Sequence, residues 1–268
     1  MPRYGYGAGT DTGRIRSHNE DCFRAEPELG LWLVADGMGG HQGGEVASTI
    51  AGDVIVDKIQ SGQSLVVTIE AAHNAILEAG RAGEGPAGMG TTVVALQINH
   101  HEYEIAWVGD CRAYLWNGAH LKQLTRDHSY VQYLVDQRVI PAAEADHHGH
   151  QNYIMQALGS TDPDGIRVDA IRDVLHRGER ILLCSDGLTK EVSDADIAAL
   201  LSTGLDEQET VDRLIQTALE NGGSDNVTVV LVSADIDAPR RSLKRLPQNH
   251  IFDAFRARIK AFFKYFTN

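Results

Sequence analysis

The chain has 268 residues, 43% hydrophobic and 23% charged, enough apolar material for one large core or two small ones. Its three cysteines, Cys22, Cys111 and Cys184, have no paired spacing and none opens a Cys-x5-Arg run, which excludes a disulfide framework and cysteine-nucleophile chemistry of that type and points to a reducing compartment. A net charge of −13 makes nucleic acid an unfavourable partner, no apolar run is long enough to span a membrane, and Met1-Pro2-Arg3-Tyr4-Gly5 opens no signal-peptide core, so the cytoplasm is expected.

Residues 4–10 alternate large and small side chains and read as a first strand, with Thr10-Asp11-Thr12-Gly13 as turn chemistry. Gly7-x-Gly9-x-x-x-Gly13 has the wrong spacing for a dinucleotide fingerprint. Arg16-Ser17-His18-Asn19-Glu20-Asp21 sets adjacent acids after an arginine, a pattern common on solvated surfaces. Leu31-Trp32-Leu33-Val34-Ala35 then reads as a buried strand, ending at Asp36 and the turn Gly37-Met38-Gly39-Gly40-His41. A carboxylate there, beside glycines that let ligands approach the backbone, suits a hard metal ion; the plain alternative is a helix cap. Helical periodicity follows over residues 43–60 and 65–80.

Residues 91–98, 102–108, 113–116 and 120–124 are short β-rich runs and read as an antiparallel meander, with Gly109-Asp110-Cys111-Arg112 as a tight connection inside it. Thr125-Arg126-Asp127-His128 leads into a helix containing Val131, Leu134 and Val135. Residues 139–164 are irregular; their cluster His147-His148-Gly149-His150 lacks the further ligands of a tetrahedral zinc site and reads as a solvated loop. Residues 180–187 repeat the opening element, an apolar strand ending in Asp186-Gly187. Helices over 193–201 and 207–221 follow, and Asp225 precedes the buried strand 227–232. Helix pairs inserted between antiparallel strands do not make a doubly wound parallel sheet. They fit an α+β fold over residues 1–237: a four-layer α-β-β-α sandwich, two antiparallel sheets flanked by helix pairs.

Asp36, Asp186 and Asp225 thus lie at the ends of apolar strands, each close to glycine, with Glu20-Asp21 and Asp127 in turns outside strands. Gathered at one edge of the sandwich they form an all-oxygen cage, which selects Mg2+ or Mn2+ over zinc or copper. Two such ions roughly 3.5–4 Å apart share a bridging water, lower its pKa and aim it in line at phosphorus. Arg16 is the planar donor suited to hold the phosphate oxygens.

With these residues assembled, the chain resembles the metal-dependent protein phosphatases of the PPM family, also called the protein phosphatase 2C family, in its compact bacterial form. The matching segments are Arg16-x-x-Asn19-Glu20-Asp21, Val34-Ala35-Asp36-Gly37-Met38-Gly39-Gly40, Gly90-Thr91-Thr92, Val108-Gly109-Asp110-Cys111-Arg112, Leu124-Thr125-Arg126-Asp127-His128, Ala157-Leu158-Gly159, Cys184-Ser185-Asp186-Gly187-Leu188 and Ser224-Asp225-Asn226-Val227-Thr228. They occur in the family's order over most of the chain. The resemblance implies that Asp36 bridges two metal ions, with the Gly37 carbonyl on one of them and Asp186 and Asp225 completing the other's shell. Glu20 and Asp21 then contact the metals directly or through waters, Arg16 takes the substrate phosphate, and Asp127 with Asp186 holds a third, looser ion. It further implies hydrolysis of phosphoserine and phosphothreonine in phosphorylated proteins by direct attack of the metal-bridging water, opposing a bacterial serine/threonine kinase. Residues 139–164 fall where the family has its flap. Met38 stands where animal members often carry a histidine proposed as general acid, and bacterial members share this methionine. That leaves His41 as a candidate acid, in competition with a metal-bound water, or as a residue that orients a carboxylate or packs at the helix start.

From Ala238 onward eight basic residues meet one acid, so this stretch carries +7 and the rest −20. An acidic body of that size suits divalent cations. Residues 238–268 read as a basic linker and a helical tail in which Ile251, Phe252, Phe255, Ile259, Phe262, Phe263 and Phe266 share an arc of about 120° at 100° per residue. Through residues 249–266 the tail could lie on the inner face of an anionic membrane, dock on a partner protein or fold back on the acidic body, and these readings stay open. The chain is read as a monomer. Two other functions compete: a non-catalytic phosphoprotein-binding module recruited through the tail, and a hydrolase of small phosphate esters. The first would be expected to have lost one of Asp36, Asp186 or Asp225, and the second calls for a deep closed pocket.

Overall fold

Strands whose apolar residues run without alternation must be covered on both faces, and the fold supplies both covers. The computed structural model describes residues 4–40, 42–150, 152–162 and 165–234. In chain order the elements are β1 (Tyr4–Asp11), β2 (Asp21–Glu26), β3 (Leu31–Met38), α1 (Gly43–Gln60), α2 (Leu65–Ala82), β4 (Gly90–Thr91), β5 (Val93–Asn99), β6 (Glu102–Val108), β7 (Arg112–Trp116) and β8 (Leu121–Gln123). They continue with α3 (Tyr130–Asp136), β9 (Asp169–Val174), β10 (Arg180–Cys184), α4 (Asp186–Thr189), α5 (Asp194–Leu201), α6 (Glu207–Asn221) and β11 (Val227–Ala234). One antiparallel sheet has the order β1-β11-β10-β7-β8, the other β2-β3-β5-β6-β9, with β4 paired to the end of β3.

The side-chain period of two sorts each central strand between layers. Trp32, Val34, Ile181, Leu183, Val230 and Val232 point between the sheets, where Trp107, Ile105 and Leu96 join them. Leu31, Leu33 and Ala35 face outward onto Ala47, Ala51 and Ile55 of α1 and Ile69, Ala72 and Ile76 of α2. Leu182, Cys184, Val229 and Leu231 face the opposite way onto Ile197 of α5 and Val211, Leu214 and Ala218 of α6. This is the four-layer α-β-β-α arrangement. All three cysteines are buried and free.

The run from residue 91 to 124 differs from a single meander. The β5–β6 hairpin belongs to one sheet and the β7–β8 hairpin to the other, so Gly109-Asp110-Cys111 carries the chain across the sandwich. The crossing needs Gly109, which has φ +107°; a Cβ there would stand 2.4 Å from Thr92. Two further strands are edges of their sheet: β2, so that Asp21 opens a strand rather than sitting in a turn, and β9. The irregular stretch after α3 is tied down by bridges from Ser129 to Ile154 and from Thr91 to Leu158. No helix among the described residues is long and apolar enough to cross a membrane. His41 and the tail beyond residue 234 lie outside the described residues, and with them the readings made of that histidine and of the amphipathic helix.

Candidate active site

Both sheets deliver acids to the same end of the sandwich. Asp21 and Asp36 are directly paired across β2 and β3. The Asp36 backbone is fixed by the Thr92 amide and the Thr91 hydroxyl, which donate to its carbonyl at 2.8 and 2.9 Å. From the facing sheet, Asp186 follows β10 at the start of α4, and Asp225 precedes β11. Asp110 arrives on the crossing between sheets. The seam is pinned by Asp21 itself, whose Oδ2 accepts from the hydroxyls of Ser185 (2.8 Å) and Thr228 (2.7 Å). Asn226 accepts from the Glu20 amide and donates to the carbonyls of Thr12 and His18, fixing the loop that carries Arg16 and Glu20.

Glycines set how closely these pieces meet. A Cβ on Gly37 would fall 2.2 Å from the Gly44 carbonyl oxygen, so the first turn of α1 rests on the β3 backbone. There the Gly44 amide donates to Glu20 Oε1 at 3.2 Å, placing that carboxylate at the positive end of the helix. A Cβ on Gly187 would stand 1.9 Å from the Asn226 carbonyl oxygen. Gly187→Ala is therefore expected to separate Asp186 from Asp225 and to destabilise the fold by about 2–3 kcal/mol. Urea titration checks it; a loss below about 0.5 kcal/mol would mean the two segments can part freely.

The electrostatics tie the acids into one group. Burial pushes the Asp36 carboxyl well above the usual range, and the negative charges of Asp21, Asp186, Asp110 and Asp225 push the same way. Burial likewise lifts Asp21 to about 7, against its two hydroxyl donors and with Asp186 and Asp225 adding to the rise. Asp110 is also raised, by burial and then by Asp186 and Asp127. Three buried oxygens here, Asp21 Oδ1, Asp110 Oδ1 and Asp186 Oδ1, have no hydrogen-bond partner. Acceptor-only oxygens that repel one another and lack donors fit a hard divalent cation. Two protein cations already sit among them. Lys190 Nζ lies 2.6 Å from Asp186 Oδ2 and 2.8 Å from Asp225 Oδ2. Arg16, half exposed at the mouth, clasps Asp225 through Nε at 2.8 Å and Nη2 at 3.0 Å. Burial works to raise the Asp225 carboxyl, yet Lys190 and Arg16 hold it below the usual range. In this arrangement no three acids or histidines among the described residues stand as a finished cage.

The family model for protein phosphatase 2C matches residues 8–231. The chain belongs to the protein phosphatase 2C family. It is 35% identical to a serine/threonine phosphatase, stp, of Listeria monocytogenes over 240 residues, 85% of this chain and 94% of that protein. Its fold is similar to the crystal structure of the Mycobacterium tuberculosis serine/threonine phosphatase PstP/Ppp, with TM-score 0.78 and 36% identity over 87% of this chain and 98% of that one. It is also similar to a PstP catalytic domain solved with two manganese ions, with TM-score 0.77 and 34% identity over 88% and 100% of the two chains.

Within this phosphatase 2C site the structure brings Glu20, Asp21, Asp36, Gly37, Asp186 and Asp225 together with Arg16. Asp127, also expected as a metal ligand, is held by protein donors. Arg112 donates to Asp127 through Nε at 3.1 and 2.9 Å and through Nη2 at 2.7 Å, and Gln123 donates to Oδ1 at 3.0 Å. Both Asp127 oxygens thus have protein partners, as both Asp225 oxygens do, whereas Asp110, given no role from the sequence, keeps a buried oxygen without one. The signal was present in its motif, Val108-Gly109-Asp110, but only the crossing between sheets turns that residue into the site. A cavity of about 110 Å3 lies here, lined by Asp110, Arg112, Asp127, Ser129, Asn152, Asp186, Thr189 and Lys190. A larger one of about 1100 Å3 lies at the far end of the β2–β9 sheet, around Gly30, His100 and Glu102, away from these acids.

Proposed function

We infer that this chain hydrolyses phosphoserine and phosphothreonine in phosphorylated proteins, as a serine/threonine protein phosphatase of the bacterial type. One observation carries the reading: acids from both sheets meet at one edge, with three of their oxygens buried and unpartnered. Asp36, at the centre, faces acids of both sheets, and with Gly37, Asp186 and Asp225 beside it would hold Mn2+ or Mg2+. Glu20 and Asp21 border the same ions. When bound, such ions supply Lewis-acid charge at the phosphoryl oxygens and water activated near neutral pH. Asp110, with Asp186, would be the pair to hold a third ion, rather than Asp127 with Asp186.

The chain's own residues do the rest. Arg16 lies at the mouth, and its planar guanidinium, which holds Asp225 here, has the geometry to take two phosphate oxygens. Ser185 and Thr228 hold the Asp21 carboxylate, and Thr91 and Thr92 hold the Asp36 backbone, so little reorganisation remains for the reaction. The 110 Å3 cavity is well below the roughly 300 Å3 that enclosed small-ligand pockets start from, which favours a phosphorylated side chain on a protein surface over a small ester. The partner activity is a serine/threonine kinase, and the protein works as a cytoplasmic monomer.

The test is turnover of a phosphothreonine peptide with Mn2+ and after EDTA. The expected result is a loss of about 100-fold or more on chelation, restored by Mn2+. Metal uptake by calorimetry without any turnover would instead leave a phosphoprotein-binding module.

A further inference from the structure

Lys190 is the residue that neither the resemblance nor the proposed mechanism uses. It is the C-cap of the short helix that Asp186 opens, and its ammonium lies between two carboxylates from different segments, Asp186 (2.6 Å) and Asp225 (2.8 Å). Its side chain is only 24% exposed. Arg16 has a comparable bond to Asp225 but does not reach Asp186 by hydrogen bond or ion pair; Lys190 alone among the described basic residues bridges the pair. A charge of +1 with three donors cannot satisfy these acids as a divalent ion does, and Asp186 Oδ1 beside it stays unpartnered.

We propose that Lys190 is a tethered counter-ion for the Asp186–Asp225 pair, holding the two segments together before metal binds and competing with the metal for them. The proposal rests on the reading of Asp186 and Asp225 as metal ligands. Two consequences follow from one contact. Lys190 holds one oxygen of each carboxylate, so an ion that draws on those oxygens binds with an apparent affinity scaled by the fraction of molecules in which Lys190 has let go. Without metal, the same contact offsets repulsion between the acids, so its loss weakens the stripped protein. A structural salt bridge with no competing role predicts the second effect but not the first.

The experiment is calorimetric titration of the EDTA-stripped full chain with Mn2+, comparing wild type with Lys190→Met, which keeps the length and loses the charge. The Met variant is expected to bind Mn2+ about tenfold more tightly or better. Stripped, it should melt at a lower temperature than wild type, and saturating Mn2+ should narrow that gap. Equal or weaker Mn2+ binding by the Met variant overturns the competition. Should the stripped variant fail to fold, chelator back-titration of the Mn2+-loaded proteins reads the same affinity ratio. Absence of Mn2+ uptake by wild type would be a different failure, that of the metal-site reading itself.

Discussion

Asp36→Asn should lower phosphothreonine-peptide hydrolysis by on the order of 10^3-fold or more while leaving the fold intact. The side chain keeps its shape, and the backbone anchors from Thr91 and Thr92 reach the Asp36 carbonyl, which the substitution does not touch. What disappears is a carboxylate that faces Asp21 in its own sheet and Asp186 and Asp225 from the facing one. The change should not lower the melting temperature of the metal-stripped protein, because it removes a charge that Asp21, Asp186 and Asp110 repel. Steady-state turnover and a thermal melt on the same preparation separate the two effects. Activity within tenfold of wild type would remove Asp36 from the centre of the mechanism.

Arg112→Met should be the most costly change to stability, about 3–5 kcal/mol, because it strands a buried carboxylate. The Asp127 side chain is 8% exposed and Arg112 makes three of its contacts. Arg112 also donates to the Tyr114 hydroxyl, which donates in turn to Asp194 at the start of α5. For a domain of this size the loss corresponds to a drop in Tm of roughly 10 °C. Adding Asp127→Asn to Arg112→Met should recover part of it, since the unpaired charge, rather than the missing contact, dominates the cost. A single variant that melts within 2 °C of wild type, or a double variant no better than the single, counts against this account.

The layers were legible because their strands are buried on both sides. Five apolar residues before Asp36, and comparable runs before Asp186 and after Asp225, could only be central strands. β2 and β9 were not legible for the converse reason. As edges they mix polar and apolar residues, and Asp-Cys-Phe-Arg-Ala-Glu or Asp-Ala-Ile-Arg-Asp-Val shows too little burial to stand out. The four runs from residue 91 onward looked like one meander because hairpins in the same sheet and in facing sheets have the same local sequence. Only the packing of Val94 and Leu96 against Ile181 and Val230 decides which strand pairs with which.

The site was legible as a set of acids, less so as individual roles. Asp110 and Asp127 both stand in short turns near arginine, and nothing local separates them. The distinction is made by Arg112, which opens β7 and reaches over the β7–β8 hairpin to take Asp127, leaving Asp110 to face Asp186. Likewise Ser185, Thr228 and Asn226 are ordinary polar residues in the sequence. They acquire their tasks from partners more than 160 positions away.

Asp21 and Thr228, joined at 2.7 Å, are 207 residues apart. During synthesis the first of them leaves the ribosome long before the second, and the chain lengthens at about 5–20 residues per second. For some ten seconds or more, then, a nascent chain carries Asp21 and Asp36 with nothing from the facing sheet to complete them. β11, which pairs with both β1 and β10, is the last strand among the described residues to emerge and the one that shuts the seam. Catalytic competence is thereby postponed until β11 has been made: a product that stops before Asp225 carries Asp21 and Asp36 without the segment that closes the seam.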